Sequence, residues 1–306
     1  MPILHSNLET DLRLAVALDQ SLAVTLTDQA AIRNLPGAIN FLGTVNGTGS
    51  DTSRIRYASL GGSDHFSATA GENTDESETA LTDTSVDIAV VRAALVRNVG
   101  DLAVATGFAQ DINPAVLAAD MAASLEGYFN GLIAADIATA GTDKGQSGVD
   151  LSVDDFYDAI FFLEQGSVPS PYFAMLAPIQ FTDFQSSLRS EGGAVQFSPA
   201  TQAMLQIAGQ GLAGSFMGVN IFKSSDVTTA TGNRHGAMWG AGALGYKIAI
   251  ANPGNFGGSS VVVRMDELVI EISRDASTAL TEVVGNAYLG TKLLEDARIV
   301  GLVTDA

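Results

Sequence analysis

Apolar positions along the chain change period several times, and each change marks an element. From residue 7 to 33, Leu8, Leu12, Val16 and Ala23 recur among acids at helical spacing, and the run stops before Pro36-Gly37. GTVNGTGSDTS (43–53) has no such period and reads as a break. In SRIRYASL, Ile55, Tyr57 and Ser59 alternate with Arg54, Arg56 and Ala58, the two-residue period of a strand. Residues 61–81 then hold almost no apolar side chain besides Phe66, but carry Asp64, Glu72, Asp75, Glu76 and Glu78. TSVDIAVVRAALVRNV (84–99) reads as one long return strand. Paired as a hairpin, the two strands form an arm with an acidic tip and with Arg54, Arg56, Arg92 and Arg97 level at its base. An isolated hairpin is marginal in water, so the arm is expected to lie over a neighbouring subunit.

The clearest helix follows. Asn113 caps it, Pro114 suits its first turn, and Leu117, Met121, Leu125, Tyr128 and Leu132 recur at steps of three and four, with Phe129, Ile133 and Ile137 on the adjoining stripe. Over 114–139 it spans about 39 Å at ~1.5 Å per residue, and GTDKGQSG (141–148) ends it. DDFYDAIFFLEQ (154–165) and FTDFQSSLRS (181–190) read as shorter helices, and QAMLQIAGQGLAG (202–214) starts as one before dissolving into glycine. MGVNIFKSSDV (217–227) is a strand ending in a polar turn. The last hundred residues are rich in strands: ALGYKIAIA, SSVVVRMDELVIEIS, ALTEVVGNAYLGTKLL and ARIVGLVT. The class is α+β.

Composition narrows what such a chain does. Its 306 residues include no cysteine, which excludes disulfides, thiolate zinc sites and cysteine nucleophiles. The net charge of −19 argues against gripping nucleic-acid phosphates or an anionic membrane. No window approaches ~20 uncharged apolar residues, and the opening MPILHSNLETDL lacks the plan of a signal peptide, so a soluble, unexported protein is expected. Only 16% of residues are charged and mean hydropathy is +0.23. That leaves apolar surface to hide, and a subunit interface is one place to hide it.

Three constellations invite a chemical reading. Gly240, Gly242 and Gly245 have the G-x-G-x-x-G spacing of a dinucleotide turn, with Asp266 placed like a ribose-binding acid. The motif needs a helix after its last glycine, whereas YKIAIA alternates as a strand, so the spacing is read as chance among 32 glycines. In GTDKGQSGVDLSVD (141–154), Asp143, Ser147, Gly148 and Asp154 fall near calcium-loop positions. Gly145 supplies no oxygen at the third and Asp154 is shorter than the usual glutamate, so a plain helix–helix turn is favoured. His5, His65 and His235 form no ligand spacing, Ser147 misses the G-x-S-x-G elbow, and His235 beside Arg234 reads as a surface pair. No enzyme, cofactor or metal is expected. Trp239 reads as a packing anchor or a subunit contact.

The order of elements resembles the major capsid proteins of tailed double-stranded DNA phages, the Hong Kong 97-like fold. TAGENTDESETALTDTSVDIAVVRAALVRNVGDLA (69–103) is similar to the family's extended loop and return strand, and LAADMAASLEGYFNGLIAADIATAGTDKGQSG (117–148) to its spine helix and following turn. MGVNIFKSSDV with NRHGAMWGAGALGYKIA (217–249) resembles part of the axial domain. The resemblance implies an N-terminal arm at 1–53, an extended hairpin loop at 54–99, and a peripheral domain at 100–150 and 268–306 with its spine helix at 114–139. An axial domain follows from it at 151–267.

It also implies self-assembly into pentamers and hexamers of an icosahedral shell around packaged DNA that is not read by sequence. Scaffolding, portal and decoration proteins are the implied partners, no membrane is involved, and the setting is the virion, with the host cytoplasm during assembly. Inter-subunit contacts are expected from Glu72, Asp75, Glu76 and Glu78 against Arg54, Arg56, Arg92 or Arg97 of a neighbour, and from Trp239. The first lysine is Lys144, past the loop, so the lysine–asparagine crosslink of some members is not expected. A spine helix starting near 114 is expected to leave no room for a large built-in scaffolding segment. An encapsulin shell is the near alternative. A secreted acidic surface-layer or adhesin protein is the distant one, disfavoured by the missing signal peptide and nonapeptide repeats.

Overall fold

The computed structural model describes residues 31–59, 82–100, 114–190, 197–201, 205, 211–250, 261–265, 268–275 and 277–305. Most of the helix read at 7–33, the acidic stretch 61–81 and Asp266 lie outside these residues.

Two sheets share one core. Six strands build the first: β1 (Asn40–Thr44), β4 (Val91–Gly100), β12 (Leu244–Ile248), β13 (Val261–Met265), β14 (Leu268–Asp275) and β15 (Leu280–Leu293). The 14-residue β15 pairs antiparallel with β14 over 280–287, β4 over 280–289 and β12 over 289–293, while β1 joins β12 in parallel. Eight strands build the second: β5 (Asp143–Lys144), β6 (Tyr172–Leu176), β7 (Phe197–Pro199), β8 (Leu212–Phe216), β9 (Val219–Lys223), β10 (Thr229–Ala230), β11 (Asn233–Gly240) and β16 (Ile299–Asp305). Their order is β5-β16-β11-β6-β9-β8-β7, with β10 beside β11.

Helix α2 (Pro114–Ile137) packs on β15 of the first sheet and β11 of the second. Its 24 residues span about 36 Å. Met121, Leu125, Phe129, Ile133 and Ile137 are buried, while Leu117, Tyr128 and Leu132 are half-buried, so the inward stripe takes Met121 and Leu125 from the main run and continues along the adjoining one. On the opposite face of the eight-stranded sheet lie α3 (Val153–Gln165) and α4 (Pro178–Ser190). A capping box starts α3: Ser152 Oγ accepts from the Asp155 amide, and the Asp155 carboxylate accepts from the Ser152 amide.

The eight-stranded sheet is therefore covered on both faces, and its central strands read as continuous apolar runs for that reason. Phe173, Met175, Ala237, Trp239 and Ile299 enter the α2 core, while Ala174, Leu176, Met238, Val300 and Leu302 enter the α3–α4 core.

Sheet membership crosses the boundaries expected from sequence. β1 falls within the expected arm, β12 and β13 within the expected axial segment, and β16 within the expected peripheral one, yet each pairs with the other group. Residues 31–45 pack into the core of their own chain. After a helical turn, α1 (Ala31–Asn34), the chain buries Ile32, Ala38, Ile39 and Val45. Arg33 forms an ion pair with Glu126 of α2 and sits 4.7 Å from the Phe129 ring centre. Trp239 Nε1 donates to the Ala38 carbonyl at 2.8 Å, and the Val45 amide donates to Ile248. The long return strand is also two strands, β3 (Thr82–Ala89) and β4, broken at Val90, whose amide donates to Asp51.

Candidate assembly surfaces

The strands β2 (Thr52–Ser59) and β3 form a two-stranded sheet of their own. Ile88 is buried and Ile55 and Val86 half-buried, while Arg54, Arg56, Ser85 and Asp87 are exposed on the other side. Period-two alternation thus gives the hairpin one face to rest on the protein and one polar face. Its register sets Arg54 opposite Asp87 and Arg56 opposite Ser85. Arg54 grips Asp87 with two hydrogen bonds, Nε at 2.8 Å and Nη2 at 3.0 Å, which raise the Arg54 pKa and hold the Asp87 carboxyl below the usual range.

Arg92 and Arg97 are not level with that pair. They lie on β4, opposite Tyr288 and Val283 of β15, so the expected basic base of the arm is divided between two sheets. Arg97 binds both oxygens of Asp120 on α2, at 2.7 and 3.1 Å, and Arg92 donates to Asn286 Oδ1 at 2.8 Å. Arg56 has no ion pair among the described residues. Glu72, Asp75, Glu76 and Glu78 lie outside them.

Trp239 is fully buried within its own chain, 6.3 Å from the Phe173 ring and bonded to Ala38. It is a packing anchor, and the reading of its side chain as a subunit contact is corrected. The glycine fingerprint is strand–turn–strand, β11 to β12 through residues 241–243, and Gly245 lies within β12 where the motif needs a helix to open. Gly242 turns the chain at φ +89, and Gly245 lies so close to Leu42 that a Cβ there would meet its Cδ1 at 2.3 Å. The 141–152 loop is more than a helix–helix turn. Asp143 and Lys144 pair in parallel with Gly301 and Leu302, and Ser147 Oγ and the Gly148 amide both donate to Asn233 Oδ1. Arg234 and His235 are half-buried in β11, not a surface pair; the Arg234 guanidinium donates to the Val227 carbonyl.

Two surfaces went unread in the sequence. The outer face of α3 exposes Tyr157 and Phe161 between Asp154, Asp158 and Glu164. Their i, i+4 spacing on the polar side of an amphipathic helix was the available signal. An apolar cavity of about 160 Å³ also opens between α2 and the six-stranded sheet, lined by Ala93, Leu95, Met121, Tyr128 and Gly285 among others. Among the described residues no helix is long and apolar enough to cross a membrane.

No family model and no curated protein matches the chain in sequence. Solved structures match it in fold. The head structure of Helicobacter pylori bacteriophage KHP40 aligns with a TM-score of 0.60 at 12% identity, covering 91% of each chain. The capsid of Ralstonia phage GP4 aligns at 0.56 and 12% identity, covering 88% of this chain and 87% of its own. The holo-SrpI encapsulin complex of Synechococcus elongatus PCC 7942 aligns at 0.54 and 13% identity, covering 87% and 84%. The chain shares its fold with these capsid and encapsulin subunits, and several further matched structures are phage capsids.

Proposed function

We propose that the chain is the major capsid protein of a tailed double-stranded DNA phage, and that its copies close as pentamers and hexamers into an icosahedral shell around the packaged genome. The observation that carries this reading is the likeness in fold of nearly the whole chain to phage head and capsid subunits. On this reading the six-stranded sheet with α2 is the peripheral domain, and the eight-stranded sheet with α3 and α4 is the axial domain. The β2–β3 hairpin is the root of the extended loop. Because Arg54 and Arg97 already hold carboxylates of their own chain, Arg56 and Arg92 are the cations left for a neighbour's Glu72, Asp75, Glu76 or Glu78. A shell of subunits at −19 each does not grip DNA phosphates, which suits a wall that must let the genome in and out. Scaffolding, portal and decoration proteins complete the particle.

An encapsulin shell is the second reading, favoured by the likeness to the SrpI complex. The test is electron microscopy of purified particles with assay of their contents. Closed shells holding nuclease-resistant DNA are expected. Shells holding a cargo protein and no DNA favour the encapsulin, and a chain that stays monomeric at all concentrations and salts overturns both.

A further inference from the structure

Helix α3 has two unlike faces. Inward, Val153, Phe156, Ala159, Ile160 and Leu163 are buried against the eight-stranded sheet. Outward, Asp154, Tyr157, Asp158, Phe161 and Glu164 follow at steps of one or three residues on one side of the helix. A face built only for solvation carries polar groups throughout. This one holds a phenyl ring 63% exposed and a phenol 36% exposed, set among carboxylates. The Tyr157 ring meets Phe216 at 5.7 Å, and the next residue, Met217, is 54% exposed at the β8–β9 turn, so the apolar surface continues from helix to sheet. The α3 sequence VDDFYDAIFFLEQ contains no lysine or arginine, so the helix supplies no cation to its own acidic rim.

The same chain carries a complement. At the start of α4, Ile179 is 44% exposed and Phe181 packs on Phe197 at 5.9 Å. Lys223 holds its Nζ 5.9 Å from the Phe181 ring centre and has no carboxylate within ion-pair distance among the described residues. One patch is apolar with a rim of carboxylates; the other sets a cation over the Phe181 ring, while Ile179 lies round the helix from that ring, on the side of Asp183.

We propose that these two patches mate between copies of this chain, Phe161 and Met217 of one copy packing on Phe181 and Phe197 of the next, with Lys223 facing the Asp158 carboxylate. The proposal rests on the shell reading and names a surface through which the copies meet. Contacts between unlike patches are those from which rings of subunits close, and a buried aromatic ringed by polar groups is the usual anchor of such a contact.

The test uses the full chain with Phe161→Ser, Asp158→Lys, Lys223→Glu and the Asp158→Lys/Lys223→Glu pair, all at exposed positions, with folding checked by circular dichroism. Sedimentation velocity gives the concentration at which half the subunits are assembled. Each single substitution is expected to raise it about tenfold or more, and the double charge reversal to recover most of the loss. Unchanged assembly of Phe161→Ser, or no recovery in the double variant, overturns the contact while leaving the shell reading intact. Unchanged assembly together with binding of a synthetic Lys/Leu peptide by the wild type but not by Phe161→Ser assigns the patch to a foreign cationic partner and equally overturns it. A monomeric wild type overturns this contact and the shell together.

Discussion

Replacing Glu126 with alanine takes a carboxylate away from a buried cation. The Arg33 and Glu126 side chains are 13% and 6% exposed, so the pair has left water almost entirely. Breaking such a pair costs about 3–5 kcal/mol, because the remaining charge stays desolvated and loses the Glu126 carboxylate. Phe129 still faces the guanidinium at 4.7 Å, and a desolvated cation–π contact is worth up to about 2 kcal/mol, so the expected loss lies near the lower end, about 3 kcal/mol. That is a large part of the 5–15 kcal/mol typical of a folded domain. Replacing both partners, as Arg33→Met with Glu126→Leu, removes the charges together and is expected to be neutral or stabilising.

The assay is urea unfolding of dissociated subunits followed by the emission of Trp239, the only tryptophan in the chain. That residue is bonded to Ala38 in the same segment as Arg33, so it reports the region perturbed. A Glu126→Ala variant within ~0.5 kcal/mol of the parent, the scale of an ordinary surface substitution, would refute the reasoning. So would a double variant that costs as much as the single one, since the cycle isolates the pair.

Two further substitutions test other parts of the core. Burial raises the Asp136 pKa, against a hydrogen bond from Thr291 and the nearby Lys292 charge, both of which lower it. The folded state therefore holds that proton more tightly than the unfolded one, and ionising Asp136 costs stability as pH rises through its folded pKa. Asp136→Asn keeps an oxygen for Thr291 and is expected to raise the urea midpoint at neutral pH, with the gain vanishing below the ordinary value of 3.8; a gain independent of pH would contradict this. Gly245→Ala would place a Cβ 2.3 Å from Leu42 Cδ1 and 2.9 Å from Leu294 Cδ1, ends of two half-exposed side chains that can turn aside, and is expected to cost about 1 kcal/mol, the low end of overpacking. A variant as stable as the parent would show that the close approach is not needed.

The sequence makes some elements plain and hides others for identifiable reasons. The α2 stripe repeats over six turns, and β13 to β16 are largely apolar strand segments, so both were legible. β1 was not: NFLGT is five residues long, and its pairing with β12 lies some two hundred residues away. The break at Val90 is a change of phase. Val86, Ile88 and Val90 face inward at even positions, then Ala93, Leu95 and Arg97 at odd ones. Valines at 91 and 96 fill the outward positions, so hydrophobicity alone cannot mark the shift. The arginines were misplaced for the same reason, since register decides which residues are level. The α3 aromatics were visible as letters, but only the buried face opposite them shows which way they point.

The weave of the two sheets has a consequence for synthesis. β16 sits between β5 and β11, although about 150 residues separate it in sequence from β5. β15, likewise late, holds β4, β12 and β14 together. Neither sheet can close while the ribosome has yet to pass its last strand, and pairing over such separations is slow because the loop entropy must be met first. A nascent chain therefore presents unpaired strand edges until residue 305 emerges, a window in which growing neighbours on one message can pair wrongly. The slow pairing of these late strands therefore times the moment at which copies become able to meet.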